Sequence, residues 1–130
     1  MGDNARRVLK REQFERVVDQ AMQDLPREFR QHIRNLSVRV QDQPTMEQLE
    51  RWGLEEDVEL LGFYEGIPLT GRGIHYGLVT PDVIYIFQEP IEAMCANERE
   101  IASQVNKTVW HEVAHYFGID EERLNGTNVD

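Results

Sequence analysis

The chain has a single cysteine, Cys95, among its 130 residues. No intramolecular disulfide can form, a Cys-based zinc cluster is excluded, and a reducing compartment is expected. Long apolar runs are missing too. No stretch approaches the roughly 18 residues of a membrane span, and the N-terminal segment has no apolar core of signal-peptide length. Met1-Gly2 does not announce a lipid anchor, because Arg6 stands where the acceptor pattern requires Ser or Thr. Without a secretory route, Asn125-Gly126-Thr127 reads as an Asn-Gly turn rather than a glycosylation site. Positive charge is scarce as well: 14 Lys and Arg face 24 Asp and Glu, a formal net charge of −10. An acidic surface repels phosphates and anionic head groups, so neither nucleic acid nor a membrane is an expected partner. A cytoplasmic monomer or weak oligomer is the expectation.

Repeats, low-complexity tracts and Pro/Gly/Ser linkers are also lacking, and at this length one domain with one modest core is expected over residues 1–130, with 1–10 flexible and 126–130 frayed. Within it, Phe14, Val17, Val18, Ala21, Met22 and Leu25 fall at helical spacing over residues 11–25, closed by Pro26. Leu36, Val38 and Val40 alternate with polar residues, the period of a half-buried strand. Thr45 and Gln48 form a capping box for a short helix carrying Met46, Leu49 and Trp52, which Gly53 terminates. Val58–Tyr64, Tyr76–Val79 and Val83–Phe87 read as further strands, about four in all, and Val83–Phe87 is either an interior strand or an edge open to an extended peptide. Gly66, Gly71, Gly73 and Gly77 mark a loop between them. The last helix, Glu98–Phe117, has Asn97 as its cap and neither Gly nor Pro before Gly118. Helices at both ends and strands between them give an α+β fold with a small mixed sheet.

That last helix contains His111-Glu112-Val113-Ala114-His115, an H-E-x-x-H pattern. Residues four apart on a helix lie about 40° from each other and one turn along, so both imidazoles can reach one metal ion. Glu112 lies about 100° round, suited to taking a proton from water at that metal. Average composition produces the pattern by chance in under about one chain of this length in a hundred. The helix supplies a second argument. Ala102, Val105, Val109, Val113 and Tyr116 share one face, whereas Gln104, Thr108 and His115 lie on the side of His111, so the histidines are off the core stripe. The competing explanation is two solvated histidines on an exposed face.

A hydrolytic zinc site needs three protein ligands and an open position. Only 15 residues follow His115, too few for a remote third-ligand helix. Gly118 can turn the chain back toward the metal, which brings Glu121, six residues after His115, into ligand register. Asp120 and Glu122 compete with it, although Asp120 also suits the N-cap of a short final helix. No methionine follows His115, so the Met-turn of metzincins is absent.

The sequence resembles the small bacterial zincin-like zinc metallopeptidases from about Phe14 to Leu124. The resemblance rests on Leu61-Gly62-Phe63-Tyr64-Glu65-Gly66-Ile67-Pro68-Leu69, on Pro81-Asp82-Val83-Ile84, and on His111 through Asp120. It implies a compact zincin-like fold with the active-site helix near the C-terminus, and an acidic third ligand, usually Asp, for which this chain offers Glu121. It also implies Zn2+ as cofactor and a peptide or protein as substrate. Tyr64, His75 and Tyr76 are candidate donors to a developing oxyanion, although such tyrosines are more often core residues with a hydroxyl at the surface, and a histidine in a Gly-rich loop is more often merely solvated. The alternative function is a non-catalytic, metal-stabilised interaction domain. A zinc-dependent nuclease conflicts with the charge.

Overall fold

A computed structural model describes residues 8–66 and 82–119 of the chain. Helix α1 (Arg11–Gln23) buries Phe14, Val18 and Ala21, the i, i+4, i+7 stripe that its sequence spells. It ends at Asp24, two residues before Pro26 opens the single turn α2 (Arg27–Arg30), so Leu25 is buried from the connecting turn and not from the helix. In α3 (Met46–Trp52) the predicted box is closed both ways: Gln48 N–H donates to Thr45 Oγ1 at 3.0 Å, and Thr45 N–H donates to Gln48 Oε1 at 2.9 Å. Gly53, at φ 73°, ends it. Helix α4 (Gln88–Ala93) was not anticipated. Pro90 argues against a helix on inspection, yet it sits in the first turn, where its missing N–H has no intrahelical acceptor to lose. Helix α5 (Glu98–Tyr116) follows, capped as expected by Asn97, whose Oδ1 accepts from Glu100 N–H at 2.9 Å.

Three strands form a mixed sheet in the order β1 (Leu36–Gln41), β3 (Asp82–Phe87), β2 (Gly62–Glu65), with β1 parallel and β2 antiparallel to β3. The α+β architecture read from the sequence is therefore present. The fourth expected strand, Tyr76–Val79, lies outside the described residues. The strand expected from Val58 starts only at Gly62, where pairing with β3 begins. One open alternative is decided: β3 is flanked on both sides, so it is an interior strand and presents no edge to a peptide.

Burial on both faces explains the uninterrupted apolar run of β3. Ile84 and Ile86 join Phe14, Val18, Val105, Val109 and Val113 in the core beneath α1 and α5. Tyr85 and Phe87 face the other way, toward Trp52, which stacks on Phe63 with ring centroids 4.0 Å apart. On this outer face Arg51 grips Glu65 through two bonds of 2.7 and 3.0 Å, holding the Glu65 carboxyl below its ordinary value of 4.5. A carboxylate with a depressed folded-state pKa stabilises the fold above its unfolded pKa, and that contribution is lost as pH falls through the folded value. Glu65→Gln is therefore expected to lower the neutral plateau of a stability curve modestly and to flatten its acid limb below about pH 4.5 by the same amount, so that variant and wild type converge in acid.

A buried polar network fastens the segment before α1 to α4. Glu92, 2 % exposed, accepts from the backbone N–H groups of Val8 and Leu9 and from Gln88 Nε2, while Gln88 also binds Leu9 O and Arg11 Nε. Glu92→Gln turns one acceptor toward these donors into a further donor, and is expected to cost about 1–2 kcal/mol in urea unfolding.

Candidate metal centre

Two faces of α5 do different work. Ile101, Val105, Val109, Val113 and Tyr116 are fully buried, which fixes the rotation of the helix against α1 and the sheet. Tyr116 adds a polar clamp: its hydroxyl donates to Arg34 O at 2.8 Å and accepts from Arg34 N–H at 3.0 Å. Past the helix, Gly118 takes φ 85°, its N–H donating to His115 O and that of Ile119 to Ala114 O, both at 2.9 Å. This is a Schellman closure, and a residue with a Cβ would be strained at that φ. The left-handed turn anticipated at Gly118 is present.

With α5 fixed in this way, His111, Glu112 and His115 converge, and each offers a ligand atom within 4.8 Å of the others. The imidazole centroids are 4.6 Å apart and inclined at 72°. Neither histidine belongs to the buried stripe; both are half-buried. Glu112, by contrast, is only 6 % exposed, which helical spacing did not reveal. Its Oε1 lies 3.3 Å from His115 Nδ1. An Nδ1–H donating to the carboxylate leaves a neutral ring with its Nε2 lone pair available, the form in which histidine ligates metals. Among the described residues no Lys or Arg pairs with Glu112. A buried carboxylate is costly without a nearby cation. Two imidazoles and a carboxylate so arranged suit a divalent ion such as Zn2+.

The site opens onto a cavity of about 540 Å³, lined among the described residues by Leu60, Leu61, Gly62, Gln104, Lys107, Thr108, His111 and Glu112. Strand β2 forms its wall by close contact with α5. A Cβ on Gly62 would meet Thr108 Cγ2 at 2.8 Å, Tyr85 O at 3.0 Å and Glu112 Cγ at 3.4 Å, so only glycine lets the strand approach the helix at the level of Glu112. Sequence reasoning assigned no role to Gly62 or Lys107. An isolated glycine inside a strand pattern was the available clue to the first.

Of the other predicted site residues, Tyr64 is in β2, where its hydroxyl donates to Asp82 Oδ2 at 2.9 Å and its ring meets that of Tyr116 edge-on at 6.1 Å. His75, Tyr76, Asp120 and Glu121 lie outside the described residues. Cys95 is half-buried against the core, and desolvation followed by Glu100 and Glu92 pushes its thiol pKa up, away from reactivity.

Among the described residues no helix is long and apolar enough to cross a membrane. The fold is similar to that of a conserved hypothetical protein from Thermus thermophilus, with a TM-score of 0.54 and 21% identity over 91% of this chain and 99% of that one. No curated protein matches the sequence. A family model described as zincin-like metallopeptidase matches residues 33–128, which span the whole sheet, the cavity and the His-Glu-x-x-His helix. The chain belongs to the zincin-like metallopeptidase family.

Proposed function

We propose that this chain is a zinc-dependent peptidase in which His111, His115 and Glu121 hold the ion and Glu112 is the general base. The observation that carries the proposal is the buried Glu112 carboxylate, set between two histidines of its own helix and opening on a cavity large enough for a peptide segment. Bound Zn2+ supplies a Lewis acid that polarises the scissile carbonyl and acidifies water at the site. Glu112 accepts the proton of the attacking water as the C–O bond forms, and returns it to the amide nitrogen as the C–N bond breaks. Its burial favours this exchange, because a residue only 6 % exposed keeps bulk water from competing for the proton. Leu60 and Leu61 shield one side of the reacting centre. Tyr64, His75 and Tyr76 remain the proposed donors to the oxyanion, and Tyr64 would have to turn its hydroxyl from Asp82 to serve.

The test combines metal and peptide. After chelation and reloading, the protein is expected to take up about one Zn2+ per chain and to cleave unstructured peptides only when loaded. Stoichiometric zinc without cleavage across a broad library favours the metal-stabilised interaction domain, and failure to bind zinc ends both readings. For the third ligand, Glu121→Ala is expected to weaken zinc binding by about 100-fold or more, with little change in Asp120→Ala. The reverse result transfers the role to Asp120.

A further inference from the structure

Lys107 stands apart in a chain of net charge −10. It lies on α5 one helical turn before His111, its side chain is exposed, and it lines the same cavity as His111 and Glu112. Among the described lining residues it is the one cation, and it forms no ion pair with another described residue. The rest of that lining is apolar or neutral up to the metal centre: Leu60, Leu61 and Gly62 on one side, Thr108 and Gln104 on the other. Gln104 Nε2 and Thr108 Oγ1 are bonded to each other at 3.1 Å, so they offer a peptide less than Lys107 does. An acidic protein repels acidic peptides over most of its surface, and Lys107 is the group of the described lining that opposes this repulsion.

We propose that Lys107 is a specificity-determining residue that selects peptides carrying a carboxylate close to the scissile bond. The inference rests on the peptidase reading above. Four helical residues rise about 6 Å, and an extended peptide advances about 3.3 Å per residue, so the carboxylate belongs one to two residues from the bond cut over His111 and Glu112. The carboxylate is either an Asp or Glu side chain or the peptide's own C-terminus. Its partner is an exposed ammonium, so the preference is moderate and screened by salt.

The experiment uses the full zinc-loaded chain and sets of decapeptides with Glu or Gln at each position flanking the cleaved bond, each with a free or an amidated C-terminus. The wild type is expected to favour the acid-bearing peptides about threefold in kcat/KM, a ratio that shrinks in 0.5 M NaCl. Lys107→Gln should bring the ratio near one, and Lys107→Glu should invert it. Loss of preference on amidation assigns the terminal carboxylate, and its survival assigns the side chain. An equal preference in wild type and Lys107→Gln overturns the proposal and leaves the peptidase reading standing. In parallel, affinities of the same peptides for the Glu112→Gln protein, with and without Lys107→Gln, are read by NMR titration. If no peptide is cut, the peptidase reading falls, and these affinities still decide whether Lys107 recognises a carboxylate. Equal affinity for Glu and Gln peptides overturns it.

Discussion

Glu112→Gln is expected to lower kcat/KM for peptide cleavage about a thousandfold while zinc uptake stays near one ion per chain. The substitution keeps the shape of the side chain and its acceptor oxygen, which faces His115 Nδ1 at 3.3 Å, but removes the basic site that must carry a proton from water to the leaving nitrogen. Loss of general acid–base catalysis typically costs between 10² and 10⁴ in rate. The side chain is 6 % exposed and sits between β2 and α5, so the isosteric amide fits without a cavity, and unfolding should shift by no more than about 1 kcal/mol. Activity measured on apo, reloaded and variant protein checks both halves. A variant that retained most of its activity with zinc in place would assign the base to another group and sink the mechanism proposed for this site.

Gly62→Val is expected to cost about 3 kcal/mol of stability and to displace Glu112. The contact is tight on two fronts: Thr108 Cγ2 would lie 2.8 Å and Tyr85 O 3.0 Å from a Cβ, and the second is backbone of the central strand, which cannot move without dragging the sheet. Thr108 cannot rotate freely out of the way, because its hydroxyl bonds Gln104 O at 2.9 Å. Gly62→Ala should cost less, and combining it with Thr108→Ser, which deletes Cγ2 but keeps the hydroxyl, should recover part of the loss. Because Glu112 Cγ is 3.4 Å from the same point, the alanine variant should lose activity in excess of its loss of stability, measured well below its unfolding temperature. Full activity in a stably folded Gly62→Val protein would mean that the approach of β2 to α5 does not set the position of the base.

These two residues also mark how legible the chain is. Glu112 and its two histidines could be placed from spacing alone, because an α-helix converts a separation of four into a shared face whatever surrounds it. The caps at Thr45, Asn97 and Gly118 were equally local: each is a backbone group satisfied, or a φ permitted, within a few residues. Helix α4 was not visible in this way, since its Pro90 is tolerated only by virtue of falling in the first turn after β3. Nor could the apolar run of β3 say whether it was an edge or an interior strand, because that depends on what pairs with it on each side.

The amino-acid sequence by itself determined the helix that carries the site, the two histidines and the glutamate that this helix brings together, and the acidic balance of the chain. The tertiary structure alone decided that β3 lies between β1 and β2, that Glu112 is buried while its neighbouring histidines stay half-open, and that Lys107 faces the cavity beside them. The physical reason is the range of the interactions. Helical periodicity and capping act over one turn of chain, whereas the burial of Glu112 is set by Gly62, 50 positions earlier in sequence, and by how closely a strand without a Cβ can approach the helix.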